Sequence, residues 1–161
     1  MPPKVRDPGS TARFEQHTIT RYRVALVREG SVPYDRPESC SNHAAAARFI
    51  RKILSDWDRE VLGVLLLDTR GRAIGHQIAH IGTINRTAVE PRGVLTAALL
   101  AHATSIIVFH NHPSGDPTPS TEDLAMTENL RKAAEILGIT LHDHIILGED
   151  RWVSLRERGG W

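Results

Sequence analysis

Short apolar runs separated by polar turns organise most of this chain. Residues 1 to about 16 mix Pro, Gly and charge without periodicity and read as a flexible tail. Thr18–Arg28 alternates around Ile19, Val24 and Leu26 and reads as a strand, and Ser31–Ser41, with Pro33 and Pro37, as a loop. Ser41 or Asn42 can cap a helix whose apolar face is Phe49, Ile50, Ile53, Leu54 and Trp57, at helical spacing. Glu60–Asp68 (EVLGVLLLD) is nearly continuous in apolar residues, the pattern of a strand covered on both faces. Thr69–Arg72 predicts a turn into a second strand, Ala73–Ile81. Pro91 suits the first turn of a helix carrying Val94, Leu95, Ala98, Leu99 and His102.

The second half repeats this grammar. Ser105–His110 is a buried-type strand, and Asn111–Pro119 a loop rich in Pro and Gly. A helix follows from about Thr121 to Leu137, with Gly138 as its stop. Leu141–Leu147 and Trp152–Leu155 predict a closing pair of strands around Gly148, Glu149 and Asp150. Helices interleave with buried strands, and one turn joins two strands directly. An α/β sandwich with a mixed sheet follows. The loop after Ser105–His110 lies where such folds carry their sites, beyond the carboxyl end of a strand.

Composition narrows the chemistry. The 161 residues fit one domain. Twenty Lys and Arg against 19 Asp and Glu give a net charge of +1, which lends no support to duplex-DNA binding. The apolar runs Val61–Leu67 and Val94–Ala101 are far below the roughly 20 residues of a membrane span. The N-terminus lacks the apolar core of a signal peptide. The single cysteine, Cys40, can form neither an internal disulfide nor a Cys-rich zinc site, and fits a reducing, cytoplasmic setting. Nine histidines remain, so any chemistry would use imidazole and carboxylate.

Two of the nine stand out. His110 and His112 alternate at the end of a strand and so share a face. The loop after them brings the next helix back, with Asp123 in its first turn and Ser120 as a natural N-cap. Two imidazoles and a carboxylate leave a fourth position open, the pattern of a catalytic zinc site. Asp123 can also reach back to the Ser120 backbone as a capping box, which does not exclude a metal role. His76 and His80 sit four apart on a strand, too far apart to share an ion. His142 and His144 form a second alternating pair, while His17, His43 and His102 have no partner pattern.

The run His110-x-His112, seven residues, Ser120, two residues, Asp123 resembles the JAMM signature of the JAB/MPN zinc metalloproteases. The wider text, with LLLDTRGRAIG, IGTINRTAVEPRG and LGITLHDHIILG, is similar to the RadC-type bacterial branch over roughly residues 43–157. The resemblance implies a three-layer α/β/α sandwich of cytidine-deaminase-like architecture at 43–161, following a strand-and-loop extension at 17–42. It implies one zinc ion on His110, His112 and Asp123, with water as fourth ligand. Glu60 matches the family's proton-carrying glutamate, with Glu90 as a competitor, and Ser120 its oxyanion-stabilising serine. His144, which matches the family text where His142 does not, is given a supporting role beside the metal.

The implied reaction is hydrolysis of an amide, peptide or isopeptide bond in a protein or peptide substrate. The rival readings are an inactive metal-binding interaction domain and a role in DNA repair, which the RadC label carries. RadC-type proteins commonly bear an N-terminal helix-hairpin-helix region, for which residues 1–42 leave no room. The chain also reads Val89-Glu90-Pro91-Arg92-Gly93 where many relatives have Val-His-Pro-Arg-Glu. An HNH nuclease is excluded because the letters at 110–112 are consecutive and not dispersed. A zinc deaminase is excluded because no Cys-x-x-Cys exists.

Overall fold

A computed structural model describes residues 20–33, 40, 42–84 and 89–159. Along them run α1 (His43–Ile53), β1 (Val61–Leu67), β2 (Ala73–Ile81), α2 (Pro91–Leu100), β3 (Ser105–Asn111), α3 (Thr121–Ile136), β4 (Thr140–Leu147) and β5 (Trp152–Ser154). The strands form one sheet in the order β2-β1-β3-β4-β5. Only β3 and β4 pair in parallel, with α3 as the crossover; the other neighbours are antiparallel. The mixed α/β architecture expected from the sequence is present.

Side-chain parity divides the core into two layers. On β1, Leu62, Val64 and Leu66 join Ile106 and Val108 of β3 against α2 and α3. Val61, Leu65 and Leu67 join Ile107, Phe109 and Ile145 against Ala46, Ile50 and Ile53 of α1. Every residue of β1 is buried, which is why its sequence is apolar without alternation. At the edge, β2 is covered less and its residues are half-buried or exposed. This parity puts His110, two residues beyond Val108, on the layer of α3.

Helix boundaries follow local chemistry. Asn42 caps α1, its side-chain oxygen accepting from Ala45 N at 3.1 Å, and Arg51 and Lys52 complement the dipole in the last turn. Pro91 opens α2, where its missing N–H costs nothing. His102 falls outside that helix: α2 ends at Leu100, and His102 takes φ of 53° just beyond. Residues 20–33 are neither helix nor strand, and Tyr22, Val24 and Leu26 are exposed. The alternation at Thr18–Arg28 therefore yields no strand over its described part; without a sheet edge to pair with, such a segment has little to hold it extended. Residues 18 and 19, the tail at 1–16, and positions 34–39 and 41 of the expected loop lie outside the described residues. Among the described residues no helix is long and apolar enough to cross a membrane.

Candidate metal centre

The end of β3, the loop after it and the first turn of α3 converge on one point. His110 pairs with Leu62 of β1 and Ile146 of β4, and is fully buried. His112 follows the strand, its N–H donating to the carbonyl of Leu147, and 17% of its side chain is exposed. The two Nε2 atoms are 2.9 Å apart. Asp123 Oδ1 lies 3.2 Å from His110 Nε2, and Oδ2 lies 3.4 Å from His112 Nε2. Tetrahedral zinc with Zn–N bonds of about 2.0–2.1 Å sets its ligand atoms about 3.3 Å apart. The three side chains thus already stand at the spacing of a coordination shell.

Their hydrogen bonds turn the lone pairs inward. His112 Nδ1 lies 2.8 Å from the carbonyl of Asp116, so Nδ1 donates and Nε2 is left facing His110. Facing Nε2 atoms at 2.9 Å need a hydrogen or a metal ion between them. The hydrogen bond to Asp123 raises the pKa of His112 above the ordinary imidazole value, against the opposing effect of burial. Burial would raise the Asp123 carboxyl, but the adjoining His110 and His112 rings and the hydrogen bond from Ser120 outweigh it and hold Asp123 well below the usual carboxylate range.

The capping box expected at α3 is present and shared with the site. Ser120 Oγ accepts from Asp123 N at 3.1 Å, while Ser120 N and Oγ both donate to Asp123 Oδ2 at 2.7 Å. Glu60, just before β1, joins the cluster: it, His110 and His112 each offer a ligand atom within 4.8 Å of the others. Its Oε2 accepts from Ile84 N at 3.1 Å. Glu90, the competing carboxylate, is instead exposed and paired with Arg92 at the start of α2.

Asn111 and Thr127, which the sequence left without a role, complete the site together with His144, whose supporting role was expected. Asn111, between the two histidines, donates from Nδ2 to the carbonyl of Arg59 at 3.0 Å and accepts at Oδ1 from Val61 N at 2.8 Å. Thr127, four residues after Asp123 and hence on the same helix face, lies 2.6 Å from His144 Nδ1. His144 Nε2 lies 2.7 Å from His110 Nδ1. Burial keeps His144 neutral, its pKa far below the ordinary imidazole value. Asp143 points to the opposite layer and is fully buried. It binds His43 Nδ1 at 2.5 Å, Ser154 Oγ at 2.7 Å and the N–H groups of His144 and Arg156. His76 and His80 stand apart on β2, opposite Leu65 and Leu62.

A cleft of about 490 Å³ opens beside His112, lined by Leu54, Trp57, Pro113 and Leu147 together with Arg51 and Glu149. Of the cluster's residues, His112 alone lines it.

Residues 40–160 match the RadC-like JAB domain. A UPF0758 protein of Thermotoga maritima is 47% identical over 63% of this chain and 46% of its own length. A UPF0758 protein of Listeria monocytogenes is 45% identical over 71% of this chain and 51% of its own. A third, from Desulfitobacterium hafniense, is 36% identical over 92% and 71%. The chain therefore spans about half the length of several of the curated relatives it matches.

Proposed function

The chain belongs to the RadC-like JAB domain family, and on that footing we propose that it is a zinc-dependent hydrolase of amide, peptide or isopeptide bonds. One observation carries the reading: two imidazole nitrogens and a carboxylate converge at about 3 Å from one another, the spacing of ligands around one ion. His110, His112 and Asp123 would hold the ion, a donor set of nitrogen and oxygen suited to zinc. Zinc there would bring the pKa of a water molecule toward 7 and polarise the carbonyl under attack.

The protein's own groups do the rest. Glu60 takes the proton from the attacking water and passes it to the nitrogen as the carbon–nitrogen bond breaks. Ser120 stands at the N-terminus of α3, where the helix dipole favours the negative charge developing on the carbonyl oxygen. The substrate we propose is a protein or peptide, since a net charge of +1 lends no support to contacts with a phosphate backbone.

Elemental analysis of the purified protein tests the metal, with about one zinc per chain expected and close to none in His112→Ala. Equal zinc in the two overturns the site. Hydrolysis of a panel of peptide and isopeptide substrates tests the chemistry. Glu60→Gln should retain zinc and slow cleavage at least about 100-fold. Cleavage at the wild-type rate would remove Glu60 from its role.

A further inference from the structure

The polarity of the hydrogen bonds behind His110 can be read from one end. A main-chain carbonyl only accepts, and that of Asp123 lies 2.6 Å from Thr127 Oγ1. The hydroxyl has a single hydrogen, so it is committed to that carbonyl. His144 Nδ1, 2.6 Å from the same Oγ1, must then be the donor. A neutral imidazole with its hydrogen on Nδ1 has a bare Nε2. That Nε2 faces His110 Nδ1 at 2.7 Å, so His110 in turn donates from Nδ1. The hydrogen is thereby kept off His110 Nε2, the atom aimed at His112 and Asp123.

We propose that Thr127 and His144 form a one-way relay that locks His110 in its Nδ1–H tautomer and keeps Nε2 available to a metal ion. The proposal rests on the metal reading given above. Asp123, Thr127, His144 and His110 are at most 3% exposed, so bulk water cannot replace a missing partner. Reversing the polarity would leave the Asp123 carbonyl and the hydroxyl oxygen 2.6 Å apart with no hydrogen between them. It would also place a hydrogen where the metal ion must bind. Both residues act through His110 and are positioning residues: Thr127 sets the direction and His144 carries it from α3 across β4 to β3.

Nitrogen-detected NMR of the imidazoles in metal-free protein, with zinc affinity by chelator competition, tests the relay. The wild type should show His110 protonated at Nδ1 with a bare Nε2. Thr127→Val should lose that preference and bind zinc about 10–100-fold more weakly. Thr127→Ser, which restores the hydroxyl, should recover both. Should Thr127→Val not fold, Thr127→Ala carries the same expectation. A wild-type His110 protonated at Nε2 would overturn the relay. So would a hydroxyl-free variant that keeps the wild-type tautomer or binds zinc within about twofold of the wild type. If the wild type holds no zinc, the metal reading falls, and the His110 tautomer by itself decides the relay.

Discussion

Asn111 grips the main chain on both sides of Glu60, accepting from the N–H of Val61 and donating to the carbonyl of Arg59. The residue between the two histidines of the cluster therefore sets the position of the carboxylate proposed to move the proton. Asn111→Ala should keep zinc, since neither imidazole depends on it. It should lower kcat for cleavage more than it changes KM, and cost about 1–2 kcal/mol from the unpaired N–H and carbonyl. Steady-state kinetics with a zinc assay decide this; full activity would show that Glu60 is placed without Asn111.

Zinc uptake should release protons. Because Asp123 raises the pKa of His112, metal-free protein holds that proton to higher pH than an ordinary histidine would. Affinity should rise with pH through this range and level off above it. Calorimetry in two buffers of unlike ionisation enthalpy measures the release, and identical heats would contradict it.

The same pair shapes the stability of the metal-free protein. The lowered Asp123 pKa adds stability above the unfolded value of about 4, lost as pH falls through the folded one. The raised His112 pKa adds stability below the unfolded value of about 6.5, lost as pH rises through the folded one. Thermal melts of metal-free protein should peak between these pH values, and His112→Ala should flatten the alkaline side of the peak. A profile unchanged by that substitution would separate the stability from this contact.

Gly148 bears on the site from a neighbouring turn. A Cβ there would stand 2.2 Å from the Gly115 carbonyl oxygen and 2.7 Å from Pro117 Cδ, in the loop whose Asp116 carbonyl orients His112. Gly148→Ala should cost about 1–3 kcal/mol and weaken zinc binding as the loop is pushed off. Denaturant unfolding and metal titration read the two effects, and a silent substitution would show the loop to be free to move.

Asp143 ties three elements together through His43 of α1 and Ser154 of β5. Removing it by Asp143→Ala should cost about 3–5 kcal/mol, because its partners lose a buried acceptor. His43→Ala should cost less, since that ring is 23% exposed. Urea denaturation ranks the two, and the reverse order would place the weight of the contact on His43.

Much of this was legible along the chain. The apolar run at β1 announces a central strand, and the spacing of His110, His112, Ser120 and Asp123 outlines both the capping box and the cluster. Periodicity records which face a residue takes, but not which distant residue it meets there. Asn111 reads as a loop polar residue until the β1–β3 register brings Arg59 and Val61 beside it. Thr127 carried a faint signal, one helical turn from Asp123, yet its partner His144 lies on β4. The strand expected at Thr18–Arg28 shows the converse: local alternation without a paired edge leaves Tyr22, Val24 and Leu26 exposed.

Asp123 enters the centre twice, through its carboxylate toward the imidazoles and through its main-chain carbonyl at the head of the Thr127 relay. Both contacts leave from the first turn of α3. A small displacement of that turn would withdraw a ligand and, in the same movement, free His110 to take a hydrogen on the wrong nitrogen. Docking of one helix end thus couples the place of the carboxylate to the place of the hydrogen on His110, so that a shift of one carries the other with it.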